Sequence, residues 1–275
     1  MKISIITATF NSATYIAACL ASVNSQTYNN IEHIIVDGAS TDNTLEIIKA
    51  IPNRVAKIIS EPDTGIYDAF NKGIRLATGD IIGFLHADDT FALNTIIQKI
   101  ADSFSSQTTQ NTAFSPLSGE MSGIPGQRGV DTHQIHGIYG NLLFVDAKNT
   151  DKVVRTWQSK PFLPKNVRHG WMPPHPTLFL RKEVYEKHGL FDTSFKIAGD
   201  YDFMLRVMTD PEMHLQYLPE VMTRMRVGGA STGSVKGILL KMQEDIRALR
   251  NNGFNYPLAI LAATTLRKLL QLLHR

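Results

Sequence analysis

The order of apolar runs and amphipathic stretches predicts an α/β protein, with a mostly parallel central sheet, helices on both of its faces, and a helical tail. Three observations predict it. Strand-like and helix-like segments alternate four times in the first hundred or so residues, the pattern of consecutive βαβ units. The run Ile81-Ile82-Gly83-Phe84-Leu85 is short and apolar throughout, as in a strand buried on both faces. Each strand then ends in polar or acidic residues, so these ends share one rim of the sheet, where open α/β sheets bind ligands.

Residues 3–8 read as the first strand, ending in Thr9-Phe10-Asn11. A helix follows, with Ile16, Cys19, Leu20 and Val23 on one face. The second strand, 31–36, ends in Asp37-Gly38-Ala39-Ser40-Thr41-Asp42, where Thr41 or Asp42 caps a helix through Ile51. The third strand, 55–60, ends in Glu61-Pro62-Asp63-Thr64-Gly65 and leads into a helix from Tyr67 to Ala77. The strand at 81–85 delivers His86-Ala87-Asp88-Asp89. Two adjacent carboxylates at a strand end suit a hydrated Mg²⁺ or Mn²⁺ whose remaining ligands are substrate phosphates. The competing reading is that Asp89 or Thr90 caps a helix spanning Phe91 to Phe104.

At 275 residues, 43% hydrophobic and 19% charged, the chain has the composition of a soluble globular protein. Cys19 is the single cysteine, so no intrachain disulfide forms, and a reducing cytoplasm fits. The apolar run at the N-terminus is too short for a signal peptide, and no run reaches the length of a spanning helix. Seven of the 28 Lys/Arg but only two of the 25 Asp/Glu lie from Lys236 onward. The tail is therefore net +5 and the first 235 residues net −2, which argues against a nucleic-acid-gripping surface.

Absent motifs narrow the pocket. The first strand–helix turn, Thr9-Phe10-Asn11-Ser12, lacks the glycines of a dinucleotide site, and there is no G-x-x-x-x-G-K-[ST]. With carboxylates in place of glycines at the rim, a bound diphosphate needs a metal to neutralise it.

Five segments in order, Thr7-Ala8-Thr9-Phe10-Asn11, Val36-Asp37-Gly38-Ala39-Ser40-Thr41-Asp42, Asn71-Lys72-Gly73, Ala77-Thr78-Gly79-Asp80 and His86-Ala87-Asp88-Asp89, closely resemble glycosyltransferase family 2, whose members are inverting enzymes of the GT-A (Rossmann-like) fold. Tyr139-Gly140-Asn141, His175 to Asp192 and Gly199-Asp200-Tyr201-Asp202 extend the resemblance into the second half. The wording of 61–73 and of Gly228-Gly229-Ala230-Ser231-Thr232 looks like the bacterial branch near the colanic-acid transferases, which builds surface polysaccharide.

The resemblance implies a nucleoside-diphosphate sugar donor, most often UDP-linked, a saccharide or polyprenyl-linked acceptor, and Mn²⁺ or Mg²⁺. By position, Thr7, Thr9, Asn11, Asp37, Asp68, Asn71 and Lys72 would line the nucleotide pocket, with Asp37 on the base. Asp88 would hold the metal, Asp89 and His175 would lie by the donor sugar, and Asp200 would be the catalytic base. Two positions depart from the family pattern. His86 stands at the first acidic position of the usual D-x-D, and Gly199 replaces the Glu of the usual Glu-Asp pair. A non-catalytic sugar-nucleotide binder is therefore a second reading. A sugar-phosphate nucleotidyltransferase is a third, opposed by the lack of a glycine-rich basic loop after the first strand.

Several residues keep two readings. Trp171 is an acceptor-stacking or a core tryptophan, Asp202 an acceptor contact or a helix-start carboxylate, and His175 a phosphate contact or a core histidine. The expected organisation is a sugar-nucleotide half (1–104), a polar insert (105–136) containing His133 and His136, an acceptor half (137–230) sharing the sheet, and amphipathic C-terminal helices (231–275). In the tail, Leu266, Leu269, Leu270 and Leu273 form a stripe flanked by Arg267, Lys268 and Arg275. Such a helix either lies in a membrane interface, placing a cytoplasmic protein peripherally on the inner membrane face, or packs on its own body or a dimer mate.

Overall fold

A computed structural model describes residues 1–112, 134–228 and 235–264. Among these, nine strands form one sheet. The first four are β1 (Ile3–Thr9), β2 (Ile31–Asp37), β3 (Val55–Ser60) and β4 (Ile81–Phe84). The others are β5 (Thr90–Phe91), β6 (Gly137–Val145), β7 (Val153–Trp157), β8 (Phe179–Arg181) and β9 (Leu215–Arg226). Their order is β3-β2-β1-β4-β8-β6-β9-β5, with β7 added on β6. The first four are mutually parallel, as the alternating pattern predicts. Beyond β4 the sheet is mixed: β8 runs antiparallel to β4 and β6, while β6 and β9 are parallel. The parallel expectation thus holds throughout the first half and for the β6–β9 pair, while β8, β7 and β5 join the sheet antiparallel.

Strand alternation splits the core in two. Ile6, Ile34, Val36, Ile82 and Phe84 face α3 (Ile66–Leu76) and, further along, α6 (Lys182–His188) and α7 (Gly199–Met208). Ile3, Ile5, Ile35 and Ile81 face α1 (Ile16–Asn24), α2 (Thr44–Ala50) and α4 (Ile96–Thr112). Between β7 and β8 lie the short α5 (Pro164–Arg168) and a 3₁₀ turn at His175–Thr177. Close approach of neighbouring atoms requires glycine at Gly73 and Gly79. A Cβ on Gly73 would lie 2.4 Å from Ile6 Cγ2, and one on Gly79 would lie 2.7 Å from the Ser4 backbone nitrogen. Both family-like segments containing these glycines therefore serve packing.

Three boundaries differ from the sequence reading. Thr90 and Phe91 pair with β9 instead of starting a helix, and α4 begins only at Ile96, so Asp89 caps nothing. The polar insert expected from 105 is helical to Thr112, and 113–133, with His133, lie outside the described residues. The tail begins as α8 (Val235–Asn251) and α9 (257–264), and its leucine stripe lies outside the described residues. The described part of α9 packs on the body, where Thr264 Oγ1 donates to the Gly170 carbonyl at 3.1 Å and Ile260 joins the core. No helix among the described residues is long and apolar enough to cross a membrane.

At the rim opposite the polar strand ends, Glu32 is 3% exposed and ties β1, β2 and the turn before β4 together. It accepts bonds from Ser4 Oγ (2.6 Å), Thr78 N–H (2.8 Å), Thr78 Oγ1 (2.8 Å) and Lys2 Nζ (3.1 Å). Burial alone would raise its pKa, but these donors outweigh burial and hold it down at about 2. A depressed carboxylate pKa stabilises the fold above the unfolded value and loses that stability as pH falls through the folded one. Glu32→Gln should therefore cost about 2 kcal/mol at pH 7, discounted for its half-exposed lysine partners. Urea unfolding at pH 7 and at pH 3 checks this: the gap between variant and wild type should shrink as pH falls from about 4.5 towards 2.

Candidate active site

The polar strand ends meet at one rim, and two loops there are joined closely. Asp37, at the end of β2, is fully buried. Its carboxylate accepts the Ser40 N–H at 3.0 Å, the Ser40 hydroxyl, and the Ser60 hydroxyl at 2.6 Å. Asn11 and Ala39 both adopt left-handed backbone, with φ of 48° and 61°. The Asn11 N–H donates to Ser40 Oγ at 2.8 Å and its side-chain oxygen accepts the Thr41 N–H at 2.9 Å. Asp42 receives the Thr44 and Ala13 N–H groups and so ties the loop before α2 to the one before α1, while the residue flanking α2 is Asn43 and neither Thr41 nor Asp42 is its cap. Gly38 lies under Asp63, whose Oδ2 would be 2.6 Å from a Cβ there. Thr9 Oγ1 is buried beside this loop without a hydrogen-bond partner.

The second part of the rim is the turn after β4, closed by the Asp89 N–H on the His86 carbonyl at 3.0 Å. Asp88 is half-buried, whereas Asp89 is 1% exposed. Asp89 Oδ1 accepts the Arg226 N–H at 3.3 Å, and Oδ2 is buried without a partner. Burial, reinforced by the Asp88 charge, raises the Asp89 pKa well above the usual carboxylate range. Two adjacent side chains thus differ, one open to the rim and one held towards its neutral form.

Opposite this turn lies the start of α7. Asp200 Oδ1 accepts the Tyr201 N–H at 2.9 Å and the Tyr67 hydroxyl of α3 at 3.1 Å. Two histidines stand between the carboxylates. His175 packs against Phe84, Phe191 and Phe70, with ring centroids 5.5–6.1 Å apart, and burial pushes its pKa down to about 4 against the pull of Asp200. His86 sits edge-on to Phe70 and is likewise lowered by burial, while Asp88 and Asp200 both oppose the shift. Both imidazoles are neutral near pH 7.

Asp88, Asp89, His175 and Asp200 are therefore brought together, with Thr9, Asn11 and Asp37 at the neighbouring strand ends. Other residues assigned by resemblance are engaged elsewhere. Thr7 lies in the core, its hydroxyl 3.0 Å from His33 Nε2 and 3.9 Å from Cys19 Sγ. Asn71 brackets Phe191, donating to its carbonyl at 2.8 Å and accepting its N–H at 2.9 Å. Lys72 holds the Pro62 carbonyl and Glu61, each at 2.9 Å, and pairs with Asp68 at 3.6 Å. Asp202 is 5% exposed and bonded to Arg206 and Asn252, a helix-start carboxylate. Trp171 meets Tyr139 edge-on at 6.0 Å with Lys160 over its face. Tyr67 and Arg226 were not singled out by the sequence reading, because their partners lie more than 130 residues away.

No group of three or more His, Cys, Asp or Glu among the described residues could hold a metal ion by itself. The donor set at the His86–Asp89 turn fits an ion that takes one or two carboxylate oxygens and completes its shell with phosphate and water, as Mg²⁺ does.

The Glycosyl transferase family 2 model matches residues 4–168. An uncharacterized glycosyltransferase of Mycobacterium tuberculosis is 30% identical over 206 residues, covering 74% of this chain and 68% of the relative. A glycosyltransferase of PGL/p-HBAD biosynthesis from Mycobacterium bovis is 26% identical, covering 86% and 82%. Among solved structures, S. aureus TarS 1-349 in complex with UDP-GlcNAc is 18% identical with a TM-score of 0.64, covering 96% of this chain and 72% of that one. Against a longer TarS structure, the chain spans 43% of the length. The Pyrobaculum calidifontis mannosyltransferase PcManGT, in complex with GDP-Man and Mn²⁺, is 18% identical with a TM-score of 0.57, covering 95% and 68%. At these identities the structures establish the shared GT-A fold. With the family match extending over more than half its length, the chain belongs to glycosyltransferase family 2.

Proposed function

We propose that the protein is an inverting, metal-dependent transferase that moves one sugar from a nucleoside-diphosphate sugar, preferentially UDP-linked, to a saccharide or lipid-linked acceptor of cell-surface polysaccharide. The observation that supports this most directly is the approach of two carboxylates to His86, which feels the charge of both Asp88 and Asp200 and sits edge-on to Phe70 of α3, the helix whose Tyr67 meets Asp200 at 3.1 Å. Asp88 follows a strand end, and Asp200 lies in the first turn of a helix in the second half of the chain. Donor binding by solved structures of the same fold is consistent with this reading, since TarS holds UDP-GlcNAc and PcManGT holds GDP-Man.

In this reading Asp88, with Asp89 beside it, would hold Mn²⁺ or Mg²⁺, which when bound would supply Lewis-acid stabilisation of negative charge on the leaving phosphate. Asp200 accepts the proton of the acceptor hydroxyl as oxygen attacks the anomeric carbon, and a single displacement inverts that centre. Asp89, held towards its neutral form, can donate a hydrogen bond to a sugar hydroxyl. His175 and His86, neutral and walled by aromatic rings, keep water from the reacting carbon without adding charge. Peripheral contact with the membrane that carries a lipid-linked acceptor would fall to the basic region beyond α8.

Three outcomes are expected. In a thermal-stabilisation panel of UDP-glucose, UDP-galactose, UDP-GlcNAc and GDP-mannose, a bound donor at about a hundredfold excess over Kd should raise Tm by about 5 °C. That gain should vanish in EDTA and in Asp88→Asn; equal stabilisation with and without Mn²⁺ would remove the metal role. Asp200→Asn should keep fold and donor affinity but slow transfer by about two to four orders of magnitude in single-turnover assays. Donor binding with no turnover in the wild type would instead favour the binder reading. For the tail, flotation with anionic vesicles should carry the full chain and leave a 1–255 truncation behind, whereas equal behaviour would exclude a membrane role.

A further inference from the structure

Gly199, where the family pattern has Glu, and Tyr67, on the opposite half of the molecule, share one explanation. A Cβ built on Gly199 would lie 2.8 Å from both Cδ2 and Cε2 of Tyr67, so the tyrosine ring occupies the space into which a side chain at 199 would grow. The ring is fixed in place, stacked on Phe191 at 5.8 Å and edge-on to Phe70 at 6.3 Å. Its hydroxyl lies 2.6 Å from the Ile197 carbonyl oxygen and 3.1 Å from Asp200 Oδ1. We infer that Tyr67 is a positioning residue for the Asp200 carboxylate, supplying from α3 the orientation that the residue before Asp200 cannot supply when it is glycine.

Three physical points support this. The Tyr201 N–H bond to Asp200 Oδ1 is local, between adjacent residues, and cannot fix Asp200 relative to the donor half. The Tyr67 bond spans 133 residues and does so directly. Both donors fall on Oδ1, and Oδ2 has no hydrogen bond among the described residues, which leaves one oxygen for an acceptor hydroxyl. The phenol has one proton and two acceptors within reach, so it can bond to the carboxylate while Asp200 is charged. Once Oδ2 has taken a proton, the phenol can turn towards the Ile197 carbonyl. No bond to carbon is made or broken by Tyr67 itself.

The inference rests on Asp200 being the base, and the test separates the two. Tyr67→Phe keeps the ring, its stacking and the filled space beside Gly199, so the fold should survive with Tm close to wild type. The titratable groups that face Asp200 are Tyr67, His86 and His175, all uncharged near pH 7, with Asp88 beyond His86. Removing a donor to the charged form raises a carboxylate pKa. The Asp200 carboxyl carbon, followed by ¹³C NMR in the full chain and assigned by its loss in Asp200→Asn, should titrate about half to one unit higher in Tyr67→Phe. Release of nucleoside diphosphate into water, from whichever panel donor binds, should fall about tenfold in kcat with donor Kd unchanged. An unchanged midpoint together with unchanged kcat in Tyr67→Phe, while Asp200→Asn is inactive, overturns the role of Tyr67 and leaves the base in place. Full turnover by Asp200→Asn overturns both. A fall in Tm without a moved midpoint marks a purely structural tyrosine and also overturns the inference.

Discussion

The site depends on one clasp between the two halves of the sheet. On α3, Asn71 closes a two-bond bracket on the Phe191 backbone, and Tyr67, one turn earlier, stacks on the Phe191 ring and bonds to the Ile197 carbonyl. The clasp is buried, so its amide groups have no water to fall back on, and leaving them unpaired would cost about 1–3 kcal/mol each. It fixes segment 191–200 against the donor half. Glu244 of α8 completes the fixation by accepting the N–H groups of Lys196, Ile197 and Ala198 at 2.8–2.9 Å. Such fixation of the segment before Asp200 is what the proposed role as base needs, since a base is decided by geometry before pKa.

Burial shapes the electrostatics of the same region. His86 lies within reach of the charges of both Asp88 and Asp200, which oppose the lowering of its pKa by burial. The residues between them are imidazoles embedded in Phe70, Phe84 and Phe191, and they stay neutral. Carboxylates at those positions would add negative charge where the proposed function puts a diphosphate. His86 in place of an acidic residue therefore lowers the charge of the donor site and leaves any metal there more dependent on the phosphates.

How much of this the sequence revealed follows from the range of each interaction. The four parallel strands and their polar ends were legible because alternation, apolar runs and turn residues are local signals. Short segments resembling a family pointed to Asp88 and Asp200, whose roles belong to the proposed function. Thr7 and Asn71 lie in equally family-like segments, yet their side chains are committed to His33 and to Phe191. A segment's wording does not reveal which of its residues serve the pocket and which the packing. The antiparallel β8, the late start of α4 and the contact of Tyr67 with Asp200 are set by tertiary pairing, for which one sequence holds no local pattern.

The strained pair at the nucleotide rim shows the same division of labour on a smaller scale. Ala39 in the left-handed region costs about 1–2 kcal/mol, and Asn11 costs less because its short polar side chain bonds locally. The three bonds to the buried Asp37 carboxylate are charge-assisted and worth about 1.5–3 kcal/mol each, so they outweigh that strain. Asp37 thus holds the loop in the conformation that sets Asn11 against Thr41 and Gly38 beneath Asp63. Any base that bonds to Asp37 has to share an oxygen already accepting from Ser40 or Ser60. Thr9, whose buried hydroxyl lacks a partner beside the same loop, has a donor to spare and needs no such exchange. Of the two side chains, threonine would meet a ligand at the lower cost, and what the aspartate does in the structure is hold the shape of the loop.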